Sequence, residues 1–299
     1  MTSPPRIAVL MTCHNRRALT TACLESLRVQ AHFTAADLYL VDDGSSDGTG
    51  EAVRAALPEA QVIRGDGSLF WNGGMRLAWQ RAKSASRSYD FYLWLNDDVI
   101  LAPHALAMLV EDADALVPRG EAVIVAAAVT DPASGAIVYG AQRRPRRDRP
   151  LRLVLLPASG RPSPADTVSG NVVLISAAAE ARLGNLLPVF EHIYGDLDYG
   201  LRATAQGIPV ALASRIGGSC RANSVAGSSL DPALGLLRRL ALRWKEDGAI
   251  HARDWRRLVR LHGGSPLAPL LHRIAPYLRI LAHRPNLHAG EIRHWSAAP

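Results

Sequence analysis

The sequence predicts an α/β protein with a mostly parallel sheet flanked by helices. Three short apolar segments, Arg6–Leu10, Leu38–Val41 and Phe91–Leu95, lack a helical period and indicate buried strands. The first two lead through polar turns into helical patterns, and this alternation is typical of a parallel sheet. The turn after the second strand, DDGSSDGT at 42–49, has the acids, glycines and hydroxyls that suit a tight strand-to-helix connection.

The most informative segment is YDFYLWLNDDVIL at 89–101, where an apolar run ends in Asn96, Asp97 and Asp98. Ligands of open α/β sheets bind at the carboxyl ends of the strands. Two adjacent carboxylates repel each other unless a cation or a bound partner offsets their charge. A divalent cation shared with substrate phosphates would do so. A solvated Asp-Asp turn is the simpler alternative.

Length and composition fit one large α/β domain with an extension. The chain has 299 residues, of which 48% are hydrophobic and 20% charged, as in folded proteins. The start, MTSPPRIAVL, does not resemble a secretory signal, and no run of eighteen apolar residues predicts a membrane span. Three cysteines without metal-site spacing fit a reducing compartment, so we expect a cytoplasmic protein.

The net charge of +7 lies in the C-terminal part of the chain. Residues 231–299 hold 12 Lys and Arg against five Asp and Glu, whereas residues 1–230 hold 22 of each. We therefore divide the chain into an α/β domain, 1–230, and a basic helical extension, 231–299. Helical patterns cover Pro232–Lys245, Ile250–Leu261 and Leu267–Leu281, the last interrupted by Pro269 and Pro276.

Basic amphipathic helices of this kind have several uses. They could cap the α/β domain, form a homodimer interface, or lie on an anionic membrane surface as a peripheral contact. The neutral body of the chain and the lack of any RNA- or DNA-binding motif argue against a nucleic-acid partner.

The order of motifs resembles glycosyltransferase family two, whose members have the GT-A (Rossmann-like) fold. The motifs are TCHNR after the first strand, VDDGSSDGT after the second, GDGSLFWNGGMRLAW before a helix, LNDDV in the place of the DXD motif, VSGNVVLIS and GDLDYGLRATAQG. They cover residues 6–219. The SLFWNGG wording is similar to members that act on cell-surface polysaccharides, including rhamnosyltransferase-like enzymes.

This resemblance implies an inverting hexosyltransferase that takes its sugar from a nucleotide-diphosphate sugar. The acceptor would be a hydroxyl of a saccharide or of a polyprenyl-linked molecule, in polysaccharide or cell-wall biosynthesis. The residues implied for nucleotide and donor binding are Thr12, His14, Asn15, Arg16, Asp42, Asp43, Asp66, Gly67, Asn72, Gly73, Gly74, Arg76, Asn96 and Asp97. Those implied for the wall around the acceptor and donor sugar are Trp71, Gly170, Asn171 and Asp198.

By the same resemblance Asp98 would ligate Mn²⁺ or Mg²⁺, since carboxylates and phosphates select hard cations. Many relatives complete the metal shell with a histidine shortly before a Gly-x-Ser segment. Ser214 stands at that place here, with Arg215 beside it. Either the metal has fewer protein ligands, or Arg215 neutralises part of the diphosphate charge.

The resemblance assigns Asp196 as the general base. In the family an acidic motif opens a late helix six residues before an arginine, and Asp196 lies six residues before Arg202. A helix N-terminus keeps a carboxylate ionised, which suits a base. A helix-capping role is the alternative, and the two roles are compatible.

Three other functions deserve comparison. A sugar nucleotidyltransferase would carry a Gly-rich pyrophosphate loop after the first strand, and a dehydrogenase would carry G-x-G-x-x-G there; the chain reads TCHNR instead. A non-catalytic nucleotide-sugar-binding protein would keep the fold, but the retained Asp97, Asp98 and Asp196 argue against it.

Overall fold

A computed structural model describes residues 4–146 and 148–282, which form a mixed α/β structure. The strands are β1 (Ile7–Cys13), β2 (Leu38–Asp42), β3 (Gln61–Arg64), β4 (Phe91–Leu95), β5 (Ile100–Leu101), β6 (Ile124–Thr130), β7 (Ile137–Tyr139), β8 (Ala141–Arg143), β9 (Val154–Leu155), β10 (Ser163–Pro164), β11 (Thr167–Val168), β12 (Val172–Ser176) and β13 (Val210–Ser219). The helices are α1 (Arg17–Arg28), α2 (Thr49–Ala56), α3 (Phe70–Lys83), α4 (Ala105–Leu116), α5 (Ala177–Leu183), α6 (Gly195–Ala205), α7 (Leu236–Glu246), α8 (Ile250–His262) and α9 (Ala268–Leu281).

The main sheet has the strand order β10-β13-β6-β12-β4-β1-β2-β3. Strands β4, β1, β2 and β3 pair in parallel, and so do β6 and β13. Strand β12 runs antiparallel between β4 and β6 and joins these two parallel groups. The predicted mostly parallel α/β sheet is confirmed, and a smaller sheet of β11, β8 and β9 lies beside it.

Helices cover both faces of the main sheet. The side chains of β1 alternate between two cores: Ile7, Val9 and Met11 join the core under α1 and α4, while Ala8 and Leu10 join the core under α3 and α6. Strands β1, β2 and β4 are therefore buried at every position, as expected for strands covered on both faces. Their polar carboxyl ends are left at one edge of the sheet.

The C-terminal helices pack on the α/β body through a third, smaller core. Leu258 and Val259 of α8 lie with Leu197 and Leu201 of α6 in this cluster. Helix α9 is continuous, so the predicted interruption by its two prolines is wrong. Pro269 lies in the first turn, where its missing N–H has no intrahelical partner to lose. Within residues 4–146 and 148–282, no helix is long and apolar enough to cross a membrane.

Candidate active site

The loops after β1 and β2 are tied together at the carboxyl edge of the sheet. The His14 Nδ1 atom lies 2.6 Å from the Asp43 carbonyl oxygen and donates to it. Asn15 adopts a left-handed conformation (φ 50°), and its side-chain oxygen accepts the amide of Ser46 at 2.8 Å. These contacts hold the TCHNR and DDGSSDGT segments as one unit, with Arg16 at its rim.

Arg16 faces the carboxylate pair that follows β4. Its Nη1 atom lies 3.3 Å from Asp97 Oδ1 and 3.2 Å from Asp98 Oδ2. Thr20 of α1, which is fully buried, donates to Asp97 Oδ2 at 3.3 Å. Asp97 is buried, and this burial raises its pKa to about 7, while the guanidinium of Arg16 opposes the rise. Two carboxylates at this site therefore share one guanidinium group.

The pair Asp97 and Asp98 could supply only part of the ligand shell of a divalent cation. The Asp98 Oδ1 atom is buried and has no hydrogen-bond partner among the described residues, so one carboxylate oxygen stays available as a ligand. No group of three His, Cys, Asp or Glu side chains that could hold a metal occurs in residues 4–146 and 148–282. The protein would therefore supply one or two carboxylates, and substrate phosphates and water would complete the shell, as is usual for Mg²⁺.

Ser214 and Arg215 are engaged with α4. The amide of Ser214 donates to Asp112 at 2.7 Å, and the Arg215 guanidinium lies 3.9 Å from the carboxylate of Glu111. Cys220 directly follows the end of β13. Burial, and then the negative charge of Asp98, raise the pKa of the Cys220 thiol to about 12. The idea that Arg215 replaces the missing histidine finds no support in these contacts.

A chain of contacts connects the carboxylate pair to the start of α6. The Asn96 side-chain oxygen accepts Trp71 Nε1–H at 2.7 Å. The Trp71 ring lies against Gly170, where an added Cβ would stand 2.5 Å from the ring atom Cζ2. The amide of Gly170 in turn donates to Asp196 Oδ2 at 2.7 Å. Asp97 and Asp196, 99 positions apart in the sequence, are therefore joined through two intervening side chains and one glycine.

Asp196 lies in the first turn of α6. Its Oδ1 atom accepts the amide of Leu197 at 2.8 Å, so the carboxylate is oriented by two backbone N–H groups. Tyr194, just before the helix, has a left-handed conformation (φ 69°) that a non-glycine residue rarely adopts. Strained backbone at a helix entry that carries an oriented acid is typical of functional sites.

Several residues predicted to bind the donor make hydrogen bonds within the loops of the site. The Asp43 carboxylate is buried and accepts the amides of Gly67, Leu69 and Phe70 at 2.8 to 3.0 Å, which places Gly67 in the same loop. Asp66 is exposed and accepts the amide and hydroxyl of Ser68. Asp43 therefore shapes the entry into α3 through the protein's own amides.

The structure places the predicted site residues Asn72 and Asp198 inside the protein. Asn72 is fully buried and donates to the carbonyls of Leu187 and Phe190 at 3.0 and 2.8 Å. Asp198 is also fully buried, between Arg202 Nε and His262 Nε2, each at 2.8 Å. Each side chain points into the protein from the helix that carries it, and these contacts tie that helix to other parts of the chain.

The remaining predicted residues lie at the edges of this arrangement. Gly74 packs on Thr12, since an added Cβ would overlap the Thr12 hydroxyl, and Gly73 packs on its own helix at Leu69. Arg76 Nε donates to the Leu186 carbonyl at 3.0 Å. Asp42 is buried and accepts the amide of Ser45, and the Asn171 carbonyl accepts the amide of Asn96.

The sequence that contains the first half of this site identifies the protein family. Residues 8–155 match the model described as Glycosyl transferase family 2. The chain belongs to glycosyltransferase family 2. No curated protein matches the sequence. The match contains Arg16, Asp97 and Asp98, whereas Asp196 lies beyond it.

Solved structures of low identity share the fold of this family 2 glycosyltransferase. They include TarS 1–349 of S. aureus (TM-score 0.53, 12% identity, covering 92% of this chain and 80% of that one). Another is the mannosyltransferase PcManGT of Pyrobaculum calidifontis with GDP-Man and Mn²⁺ (0.54, 15%, 98% and 88%). A third is GalNAc-T7 with UDP, GalNAc and Mn²⁺ (0.55, 13%, 94% and 57%). The likeness establishes the predicted GT-A fold.

The C-terminal helices of this family 2 glycosyltransferase contribute contacts that sequence reasoning missed. The fully buried carboxylate of Asp254 on α8 accepts the amides of Glu191, His192 and Ile193, and it pairs with Arg257 at 2.7 Å. These amides belong to the loop that leads into α6. The only local signal was an aspartate within a basic amphipathic helix, and it gave no indication of a partner some sixty residues earlier.

His192 links this loop to the other side of the site. Its Nδ1 atom accepts the amide of Trp71 at 3.4 Å, and its ring lies 5.4 Å from that of His251 on α8. Burial, and then the nearby His251, lower the pKa of His192 to about 4. His192 is therefore neutral near pH 7 and can accept the Trp71 amide.

Proposed function

We propose that this glycosyltransferase moves a hexosyl unit from a nucleotide-diphosphate sugar to an acceptor hydroxyl with inversion at the anomeric carbon. The observation that carries the proposal is the connection of Asp97 and Asp98, through Asn96, Trp71 and Gly170, to Asp196. This connection joins the Asp97 and Asp98 carboxylates, which face Arg16, to the carboxylate of Asp196, which two backbone amides orient. A reaction that releases a diphosphate and deprotonates a hydroxyl needs both.

The donor side is built from the loops after β1, β2 and β4. Arg16 brings positive charge to the place where a diphosphate would be bound. His14, Asn15 and Asp42 lie on the adjoining loops and are the candidates for nucleotide contacts. Solved neighbours with UDP-GlcNAc, GDP-Man and UDP support a nucleotide-sugar donor, and they leave its base and sugar to experiment.

Asp98, assisted by Asp97, would hold the divalent cation, Mn²⁺ or Mg²⁺. When bound, such an ion offsets the negative charge that develops on the leaving diphosphate. Arg16 supplies one positive charge to two carboxylates, so the protein itself offsets only part of their charge and the cation would offset the rest.

Asp196 would act as the general base. Two backbone amides fix its orientation, and its place in the first turn of α6 favours the ionised form. It would take the acceptor's hydroxyl proton as the oxygen attacks the anomeric carbon from the face opposite the diphosphate, and a single displacement of this kind inverts the configuration.

We propose a saccharide or polyprenyl-linked acceptor used in polysaccharide or cell-wall biosynthesis, in the cytoplasm. The support is the SLFWNGG segment, which is similar to polysaccharide-assembly members including rhamnosyltransferase-like enzymes, together with three free cysteines. We assign catalysis to residues 1–230 and treat the chain from residue 231 as an extension, whose helix α8 supports the loop that leads into α6. Residues 283–299 of this extension lie outside the described residues.

The test is a melting-temperature panel of nucleoside diphosphates and nucleotide sugars with Mn²⁺ or with EDTA. Ligands of the native state raise the melting temperature by mass action. We expect one nucleotide family to stabilise the wild type, and Asp98→Asn to lose the Mn²⁺-dependent part. Asp114→Asn, an exposed change next to Arg119 on α4, is the matched control. Failure of every nucleotide to stabilise the protein would overturn the proposal.

The same panel separates an enzyme from a binding protein. Asp196→Asn should keep the donor-induced stabilisation and lose sugar transfer, because the amide cannot take a proton. If wild type binds a nucleotide sugar but transfers its sugar to no saccharide or polyprenyl-phosphate acceptor, and Asp196→Asn behaves identically, the catalytic role of Asp196 is wrong.

A further inference from the structure

Helix α9 presents its large apolar side chains to solvent. Six of them are between 44 and 64% exposed: Leu267, just before the helix, Leu270, Leu271, Ile274, Leu278 and Leu281. Their spacing of three, four, seven, eleven and fourteen residues from the first places them on one face of a helix. We call this set the α9 outer face.

The opposite face of α9 packs on the protein. Ala268 and Ile280 are buried, and the helix contacts α7 and α8. A surface helix of a globular protein normally turns its apolar stripe to the core and its polar residues to water. Here the stripe is turned outward, and contiguous exposed apolar surface of this kind marks an interaction site.

The neighbouring helices α7 and α8 also expose large apolar side chains. Leu237 and Trp244 of α7, seven residues apart on one side of that helix, are 81 and 76% exposed, and Leu261 at the end of α8 is half exposed. Helix α7 packs directly against α9. A tryptophan among leucines is the composition of helices that lie at the boundary of lipid headgroups and acyl chains.

The surrounding charge decides which partner fits. Residues 231–282 hold ten Lys and Arg against four Asp and Glu. Arg273 is exposed on α9 beside Ile274. Burial lowers the pKa of the Arg256 guanidinium, the charge of Asp247 opposes this shift, and the charges of Arg273, Arg260 and Arg243 add to it, so these four arginines lie near one another. Two copies meeting through this surface would bring like charges together, whereas an anionic surface would neutralise them.

We propose that the α9 outer face docks on an anionic lipid surface, with its leucines at the headgroup boundary and the neighbouring arginines on lipid phosphates. The contact holds the C-terminal helices, and the α6 loop that they support, at the membrane. It goes beyond the proposed reaction, because vesicle binding requires neither nucleotide nor acceptor and is measured without them.

The test is co-sedimentation of the full chain with vesicles of phosphatidylcholine alone and of phosphatidylcholine with phosphatidylglycerol. We expect binding to the anionic vesicles that falls with salt. The triple variant Leu271→Gln, Ile274→Gln, Leu278→Gln should lose at least about tenfold in partitioning. The double variant Val29→Gln, Val154→Gln changes exposed apolar residues of the α/β body and should bind like the wild type.

A second variant tests the charge directly. Arg238→Gln with Arg273→Gln changes two exposed cations and should weaken binding by about fivefold for each. Three results would overturn the proposal: no binding of wild type to anionic vesicles at low salt, equal binding to neutral vesicles, or unchanged binding by the triple variant. A wild-type dimer that the triple variant converts to a monomer, without vesicle binding, would assign the face to a second copy instead.

Discussion

The buried carboxylate of Asp254 accepts the backbone amide of His192 at a distance of 2.8 Å. It accepts the two flanking amides as well, so a single side chain of α8 holds three consecutive residues of the loop that leads to Asp196. A second contact, His262 to Asp198, holds the first turns of α6 from the same helix. The orientation of the proposed base thus depends on side chains more than fifty residues away.

Asp254→Asn should therefore lower both stability and turnover. The new NH₂ group faces amide donors, and Arg257 loses its buried partner, so we expect the free energy of unfolding to fall by about 3 kcal/mol. The kcat should fall more than the donor KM rises, because the affected loop carries the base. Urea unfolding and steady-state kinetics measure the two effects.

The matched control is Arg253→Gln. Arg253 pairs with Glu191 of the same loop, but the pair is largely exposed and should contribute under about 1 kcal/mol. If Asp254→Asn were destabilised but kept the wild-type kcat, the contact would serve stability alone.

Gly170→Ala should disturb the link between Trp71 and Asp196. The added Cβ would lie 2.5 Å from the Trp71 ring and 3.3 Å from Asp196 Cβ, so at least one of them must move. We expect kcat to fall by about a hundredfold, as for a misplaced catalytic group, with donor-induced stabilisation retained. Gly235→Ala, where an added Cβ meets nothing within 4 Å, should leave both unchanged.

His192 should make stability depend on pH. Its pKa is about 4 in the folded protein and about 6.5 when unfolded, so between these values the unfolded chain binds more protons. Stability should thus decrease as pH falls from 6.5 to 4, by up to about 3 kcal/mol. His251, Asp254 and Arg16 face the ring and act on it too. In urea unfolding at pH 4.5 and 7.5, His192→Asn should show a smaller difference between the two pH values than wild type; an equal difference would contradict this assignment.

Arg16→Gln should increase the effect of a divalent cation on stability. Without the guanidinium, Asp97 and Asp98 lose the positive charge between them and repel each other. We expect a lower melting temperature in EDTA and a larger rise on adding Mn²⁺ than in wild type. Arg87→Gln, which breaks a pair with Asp37 remote from this site, is the control. An equal Mn²⁺ response in both variants would show that Arg16 and the cation do not share the carboxylates.

The strands and the acidic edge were accessible from the sequence because each depends on a local pattern. Strands β1, β2 and β4 are apolar runs that end in polar residues, and Asp97 and Asp98 follow the last of them directly. Asn72 and Asn96 lie in equally polar contexts, yet one is fully buried between helices and the other bonds Trp71. The difference depends on which helix packs over each residue.

The same limit applies to Asp198 and Asp254. The family resemblance implied a place for Asp198 in the wall around the acceptor and donor sugar, and no sequence pattern indicated a role for Asp254. Both are fully buried, and the helices that carry them, α6 and α8, pack together. Each acid has one arginine partner at helical spacing on its own helix, Arg202 for Asp198 and Arg257 for Asp254. The other partners, His262 for Asp198 and the amides of residues 191–193 for Asp254, come from distant parts of the chain, and no spacing within either helix indicates them.

The small core shared by α6 and α8 also determines where the chain can be shortened. A protein truncated after residue 230 would uncover Phe190, Tyr194, Leu197 and Leu201, which are now buried against Leu258 and Val259. Such a fragment would expose an apolar surface beside the loop that leads into α6, and it should aggregate when produced. The shortest fragment that can be expressed in a well-behaved form should therefore extend through α8, even though the family match ends far earlier in the sequence.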